Sequence, residues 1–259
     1  MGVVLTSRSA RDMALDAPEE FAGHFGLSPA ETAALTAMAN DLSDLMPGFV
    51  QKRERSLRQA FRITLSLLGP ENVTELVEDY SEAYAPIDST QADFLRFGDF
   101  LVTETREFAD RLQYGGIIAD VARFERLRIR AYTSEGPLWP EAERDPLDPR
   151  KVDASRPLWL HRSAAVDTFG WDVRTVRSWA MLSRLRPDPS NLLCFQRGDE
   201  GEGQTLRIDD EAARAVEMIA LRPGEVTAAE VVSATGSARS PEALLGKLIS
   251  NGVIRGTTS

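Results

Sequence analysis

The chain has 259 residues, 42% of them hydrophobic and 27% charged, enough apolar surface for a folded core and for one large or two small domains. Its formal net charge is −10, with 14 basic and 21 acidic residues through Tyr132 and 16 and 19 after it. Neither half offers the positive field that phosphate neutralisation requires, which disfavours nonspecific DNA or RNA binding.

From Met1 to Asp16 the apolar stretches are interrupted by Arg8, Arg11 and Asp12, unlike the continuous apolar region of a signal peptide. No later run approaches the roughly 18 apolar residues needed to cross a bilayer. Cys194 is the only cysteine, so neither an internal disulfide nor a thiolate metal cage can form. These features predict a soluble, cytoplasmic protein.

Helical signals begin at Ser28, an N-cap followed by Pro29 and, three residues on, by Glu31 in a capping box. An amphipathic helix is expected from about Gly48 to Leu68, with Phe49, Leu57, Phe61, Leu65 and Leu68 on one side and Gly69-Pro70 as its stop. Its solvent side holds Lys52, Arg53, Arg55, Arg58 and Arg62, which reads as a solvated face paired with nearby acids before it reads as a binding patch. Further helices are expected over roughly Glu71–Tyr84, Thr90–Leu112 and Ile117–Tyr132; Phe94, Phe97, Phe100, Leu101 and Phe108 give the second of them an aromatic, core-facing side. Short connections favour antiparallel neighbours, so residues 18–132 are expected to form an antiparallel helical bundle.

Between Thr133 and Arg156, Pro137, Pro140, Pro146 and Pro149 lie among acidic residues, which predicts a linker or strap without regular structure. Beyond it the pattern shortens towards a period of two: Pro157–His161, Ala165–Val173, Asn191–Arg197 and Gln204–Ile208 read as strands. The turn Gly198–Gly203 makes the last two an antiparallel hairpin. Helices capped by Asp209, Thr227 and Ser240 follow, then a closing strand at Val253-Ile254. The expected fold class is therefore α+β: the helical bundle, then a small sheet with a winged-helix-like end over residues 157–256.

Catalytic chemistry finds little purchase. His24 and His161 fall in different expected domains, so no nucleophile–base pair can be assembled around them. No His-x-x-x-His, Glu-x-x-His or Cys-x-x-Cys spacing points to a metal, and Asp199, Glu200 and Glu202 would repel a phosphate from the Gly198–Gly203 turn. A DNA-reading helix is argued against by Ser240–Asn251, which has one Lys, one Glu and no Arg. An exposed sheet edge can still accept a peptide as an added strand.

Three segments, VQKRERSLRQAFRITLSLLG (Val50–Gly69), FLRFGDFL (Phe94–Leu101) and ADVARFERLRIRAY (Ala119–Tyr132), resemble a helical domain once labelled DNA-binding. It occurs in partner proteins of the multinuclear non-haem iron-dependent oxidative enzymes, as in methanobactin and bufferin biosynthesis. The strands ending at Arg197 and the winged-helix-like end are similar to the peptide-recognition element of those partners. The resemblance implies a noncatalytic subunit that forms a heterodimer with the iron enzyme, which owns the iron ligands, and recruits a ribosomally made precursor peptide. No catalytic residue, metal ligand or cofactor is expected in this chain, and neither nucleic acid nor membrane is an expected partner. Strand addition would involve Leu192, Phe195, Arg197, Leu206, Arg207 and Ile208. The rivals are a winged-helix transcription regulator using the Lys52–Arg62 stripe, and a hydrolase or transferase built from carboxylates that the sequence does not position.

Overall fold

A computed structural model describes residues 7–85, 89–108, 113–133, 147–197 and 202–256. The described residues form an α+β fold of helices and small antiparallel sheets. The chain divides into two compact units: one reaches to Ala122 and includes Arg177–Trp179, and the other holds the remainder from Arg123.

The first unit is helical. It runs through α1 (Arg8–Asp16), α2 (Pro18–Phe25), α3 (Pro29–Ala37), α4 (Ala39–Ala60), α5 (Arg62–Leu68), α6 (Pro70–Ala83), α7 (Thr90–Phe108) and the start of α8 (Gly115–Tyr132). Ser28 and Glu31 form the expected capping box: Ser28 donates its N–H to the Glu31 carboxylate at 2.8 Å, and Glu31 returns its N–H to the Ser28 hydroxyl at 3.3 Å. The helix expected over Gly48–Leu68 differs. It begins at Ala39, breaks at Phe61 and resumes to Leu68, where Gly69 at φ +82° and Pro70 end it as expected. Phe61 leaves helical geometry with its ring wholly buried 5.3 Å from Phe97, so tertiary packing overrides the local pattern. Phe97 also meets Tyr80 edge to face at 4.9 Å, and Leu57, Leu65, Val73 and Leu101 of the same unit are buried. The burial of Phe97 and Leu101 fits the aromatic side expected of α7; the side chain of Phe108 lies outside the described residues.

The basic stripe on α4 is not uniformly solvated. Arg53 is drawn inward to a bidentate pair with Asp93 at 2.8 and 3.0 Å, and its side chain is only 8% exposed. Tyr80 donates its hydroxyl to the same carboxylate at 2.7 Å and lies under the Arg53 guanidinium. Burial pushes the Tyr80 phenol up to about 12, helped by Asp93. Burial also acts to raise the Asp93 pKa, but Arg53, Tyr80 and Arg96 outweigh it and hold the carboxyl below its ordinary value.

The second unit contains β1 (Leu158–Leu160), β2 (Ala165–Phe169), a 3₁₀ turn (Val173–Thr175), α9 (Trp179–Leu182, entered from the first unit), β3 (Ser190–Arg197) and β4 (Glu202–Ile208). It continues with α10 (Asp210–Leu221), α11 (Ala228–Thr235), α12 (Pro241–Ser250) and β5 (Ile254–Gly256). The caps Asp209, Thr227 and Ser240 each accept a backbone N–H where expected. β3 and β4 form the expected antiparallel hairpin, Asn191 opposite Ile208 and Arg197 opposite Glu202; residues 198–201 of its turn lie outside the described set. The three-stranded order is β2-β3-β4, while β5 pairs with β1 in a separate two-stranded sheet.

Of the expected linker, residues 134–146 lie outside the described residues. From Leu147 to Arg156 the chain has neither helix nor strand, yet Leu147 and Val152 are buried in the second unit's core with Leu158, Leu193, Phe195, Val216 and Leu248. β1 is held on its other side by Val226, whose carbonyl accepts the Leu158 N–H at 2.8 Å. Gly224, at φ +74°, permits this close approach, because any Cβ there would meet the Trp159 ring.

Both faces of the three-stranded sheet are covered. Leu193, Phe195 and Ile208 point into the core made with α10, α11 and α12. The opposite face takes the C-terminal half of α8: Arg123 pairs with Asp167, Phe124 meets Phe169 edge to face at 6.0 Å, and Gln196 Nε2 donates to the Tyr132 carbonyl at 2.6 Å. Ser190 through Phe195 are consequently all buried, where a half-covered strand would alternate.

Candidate functional site

With its faces covered, the sheet offers only its edges. On β2 the outer edge is occupied in part, because Arg123 Nη2 donates to the Thr168 carbonyl at 2.8 Å. On β4, Lys247 of α12 donates its ammonium to the Arg207 carbonyl at 2.7 Å, which places that carbonyl on the side away from β3. In an antiparallel strand the N–H and C=O of one residue point the same way and alternate along the chain. Gly203, Thr205 and Arg207 thus direct their backbone groups outward, and Gln204, Leu206 and Ile208 direct theirs to β3. The N–H of Gln196, opposite Gly203, fits this phase by donating to Ser163 Oγ at 2.7 Å. Among the described residues no strand pairs with the outer edge of β4.

Beside this edge lies a cleft of about 490 Å³ between the end of the sheet and α12, with Arg207, Ile208, Ala243, Leu244, Lys247 and Leu248 among its lining. Its charges are largely paired. Arg207 forms a bidentate pair with Asp188 at 2.7 Å for each bond. Arg239 binds Asp209 at 2.9 and 3.0 Å and also Glu211, holding both acids below their ordinary pKa, Glu211 with Ser237 as the larger cause. Asn191 donates to Asp210 at 2.7 Å and accepts from Thr168 Oγ1 at 2.6 Å. Among the described residues, Lys247 is the one basic residue of the lining that pairs with no carboxylate.

Cys194 and His161 of this unit are both buried. Burial raises the Cys194 thiol to about 11, too high for a thiolate nucleophile. His161 is buried 2.8 Å from Ser163 Oγ, and burial, with Arg255 nearby, lowers it to about 4. Ser163 in turn accepts the Gln196 N–H, so the pair ties the β1–β2 connection to β3. His24 sits exposed on α2, edge to face with Phe25 at 4.8 Å. Among the described residues no cluster of three or more His, Cys, Asp or Glu is arranged to hold a metal ion, and no helix is long and apolar enough to cross a membrane.

Of the six residues expected at a peptide edge, Arg207 and Ile208 line the cleft. Leu192 and Phe195 lie on the central strand with fully buried side chains; Ile208 is 7% exposed, Leu206 packs half-buried against the core, and the side chain of Arg197 is outside the described residues. Of the hairpin's two strands only β4 has an open edge, since β3 is paired on both sides. Sequence reasoning missed Ala243, Leu244, Lys247 and Leu248. Their signal was present in α12, where Ala243 and Lys247 are exposed four residues apart beside the buried Leu244 and Leu248. No protein-family model matches the chain, and no curated protein gives a significant match.

Proposed function

We propose that the protein is a noncatalytic, cytoplasmic peptide-recognition partner, whose second unit is a winged-helix-like module that accepts an extended segment of a ribosomally made precursor peptide along β4. The observation that carries this reading is the row of outward backbone groups at Gly203, Thr205 and Arg207 beside the α12 cleft. An added strand takes its affinity from such groups and its specificity from the side chains around them. The proposed client is a multinuclear non-haem iron-dependent oxidative enzyme, a role that rests on the resemblance of Val50–Gly69, Phe94–Leu101 and Ala119–Tyr132. The rival regulator loses support from the stripe it needs, because Arg53 is committed to Asp93 and Arg58 to Glu54.

Co-expression with such an enzyme and its precursor peptide tests the proposal. We expect a ternary complex that survives purification, and loss of the peptide but not the enzyme on Ala243→Trp, which fills the cleft from an exposed position. A chain that ignores both components, or a peptide retained unchanged by the variant, would sink it.

A further inference from the structure

We infer that the β4 cleft selects for an aspartate or glutamate in the strand it accepts, and that Lys247 reads it. This inference rests on the peptide-cleft reading above and adds the chemistry of the ligand.

Two observations converge on Lys247. Its ammonium hydrogen-bonds the Arg207 carbonyl, an acceptor that the N–H of an added strand would occupy. An incoming strand therefore competes with it for that oxygen. The acids nearby already serve other donors, Asp188 through Arg207, Asp209 and Glu211 through Arg239, and Asp210 through Asn191. Strand entry without compensation leaves a cation beside the new ladder with its hydrogen bond lost. A carboxylate on the ligand replaces that bond with an ion pair in which the acceptor carries charge as well as the donor, which is stronger than the bond to a neutral carbonyl. Side chains of an added strand alternate between faces, so one acidic residue on the α12 side meets Lys247, and the residues two positions away on that side meet the apolar lining from Ala243, Leu244 and Leu248. The ligand is thus an extended peptide with an acidic residue flanked, at two residues' distance, by small or apolar ones. Lys247 acts as a placeholder in the free protein and as the register-setting residue in the complex.

The test uses the full chain and a display library of random short peptides, panned in parallel on the native protein and on Lys247→Met, Lys247→Glu and Ala243→Trp. Lys247 and Ala243 are exposed, and circular dichroism with thermal melting checks that each variant is folded. We expect peptides enriched on the native protein to share one acidic position, to bind Lys247→Met about tenfold more weakly, and to be replaced on Lys247→Glu by peptides with Lys or Arg at that position. Enriched peptides indifferent to Asp against Asn, or an unaltered preference on Lys247→Glu, would overturn this inference and leave the cleft reading intact. If no peptide is enriched, or Ala243→Trp keeps every peptide the native chain captures, the cleft reading itself falls and this inference with it.

Discussion

Asp93 accepts hydrogen bonds from Arg53, Tyr80 and Arg96 where its side chain is only 11% open to solvent. Removing one member of such a cluster strands the others. Asp93→Ala should therefore cost about 3–5 kcal/mol in urea unfolding, with Arg53→Met/Asp93→Ala closer to native than the single change predicts. Ser190 is the converse case: its hydroxyl is buried and has no hydrogen-bond partner among the described residues. Ser190→Ala should be neutral or slightly stabilising, since no bond is lost with the oxygen. Neither environment could be read from sequence. Arg53 stands in a run of basic residues that looks uniformly solvated, and the partner that buries it is 40 positions away.

At the scale of elements, most of the secondary structure was legible because its signals are local. Ser28, Thr227 and Ser240 announce helices that form where their caps predict, and Gly69-Pro70 separates two others. The peptide-edge residues were less legible, because strand identity does not reveal how many neighbours a strand has. The run Leu192–Phe195 contains no polar residue, which is the mark of a strand covered on both faces, and that is why Leu192 and Phe195 belong to the core. Where α8 crosses the hairpin, Tyr132 lies so close to Gly203 that a Cβ would stand 2.1 Å from the ring. Gly203→Ala should destabilise the chain by about 1–3 kcal/mol, and Tyr132→Ala in the same chain should recover part of the loss, as a double-mutant cycle measures.

For the whole molecule, charge and proton binding govern behaviour. With a net charge of −10 and its α4 arginines partly committed to acids, the protein should leave duplex DNA unshifted in a gel at physiological salt. Its stability should fall as pH drops from about 6.5 to about 4, because His161 takes up a proton in the unfolded chain that the folded chain refuses. The slope is at most about 1.4 kcal/mol per pH unit. Below that window Asp93, Asp172 and Asp209, held below their ordinary values when folded, remove further stability as they protonate. Denaturant titrations across pH should show His161→Gln flattening the upper window while leaving the acid limb in place.

The burial of both sheet faces has a consequence for any chain that docks there. Growth is possible only sideways, one rung at a time, so grip accumulates with the number of consecutive amides engaged. A ligand shortened from either end should let go in steps, and a proline or an N-methylated amide at an inward-facing rung should cut its hold far more than replacing the side chain at the same place.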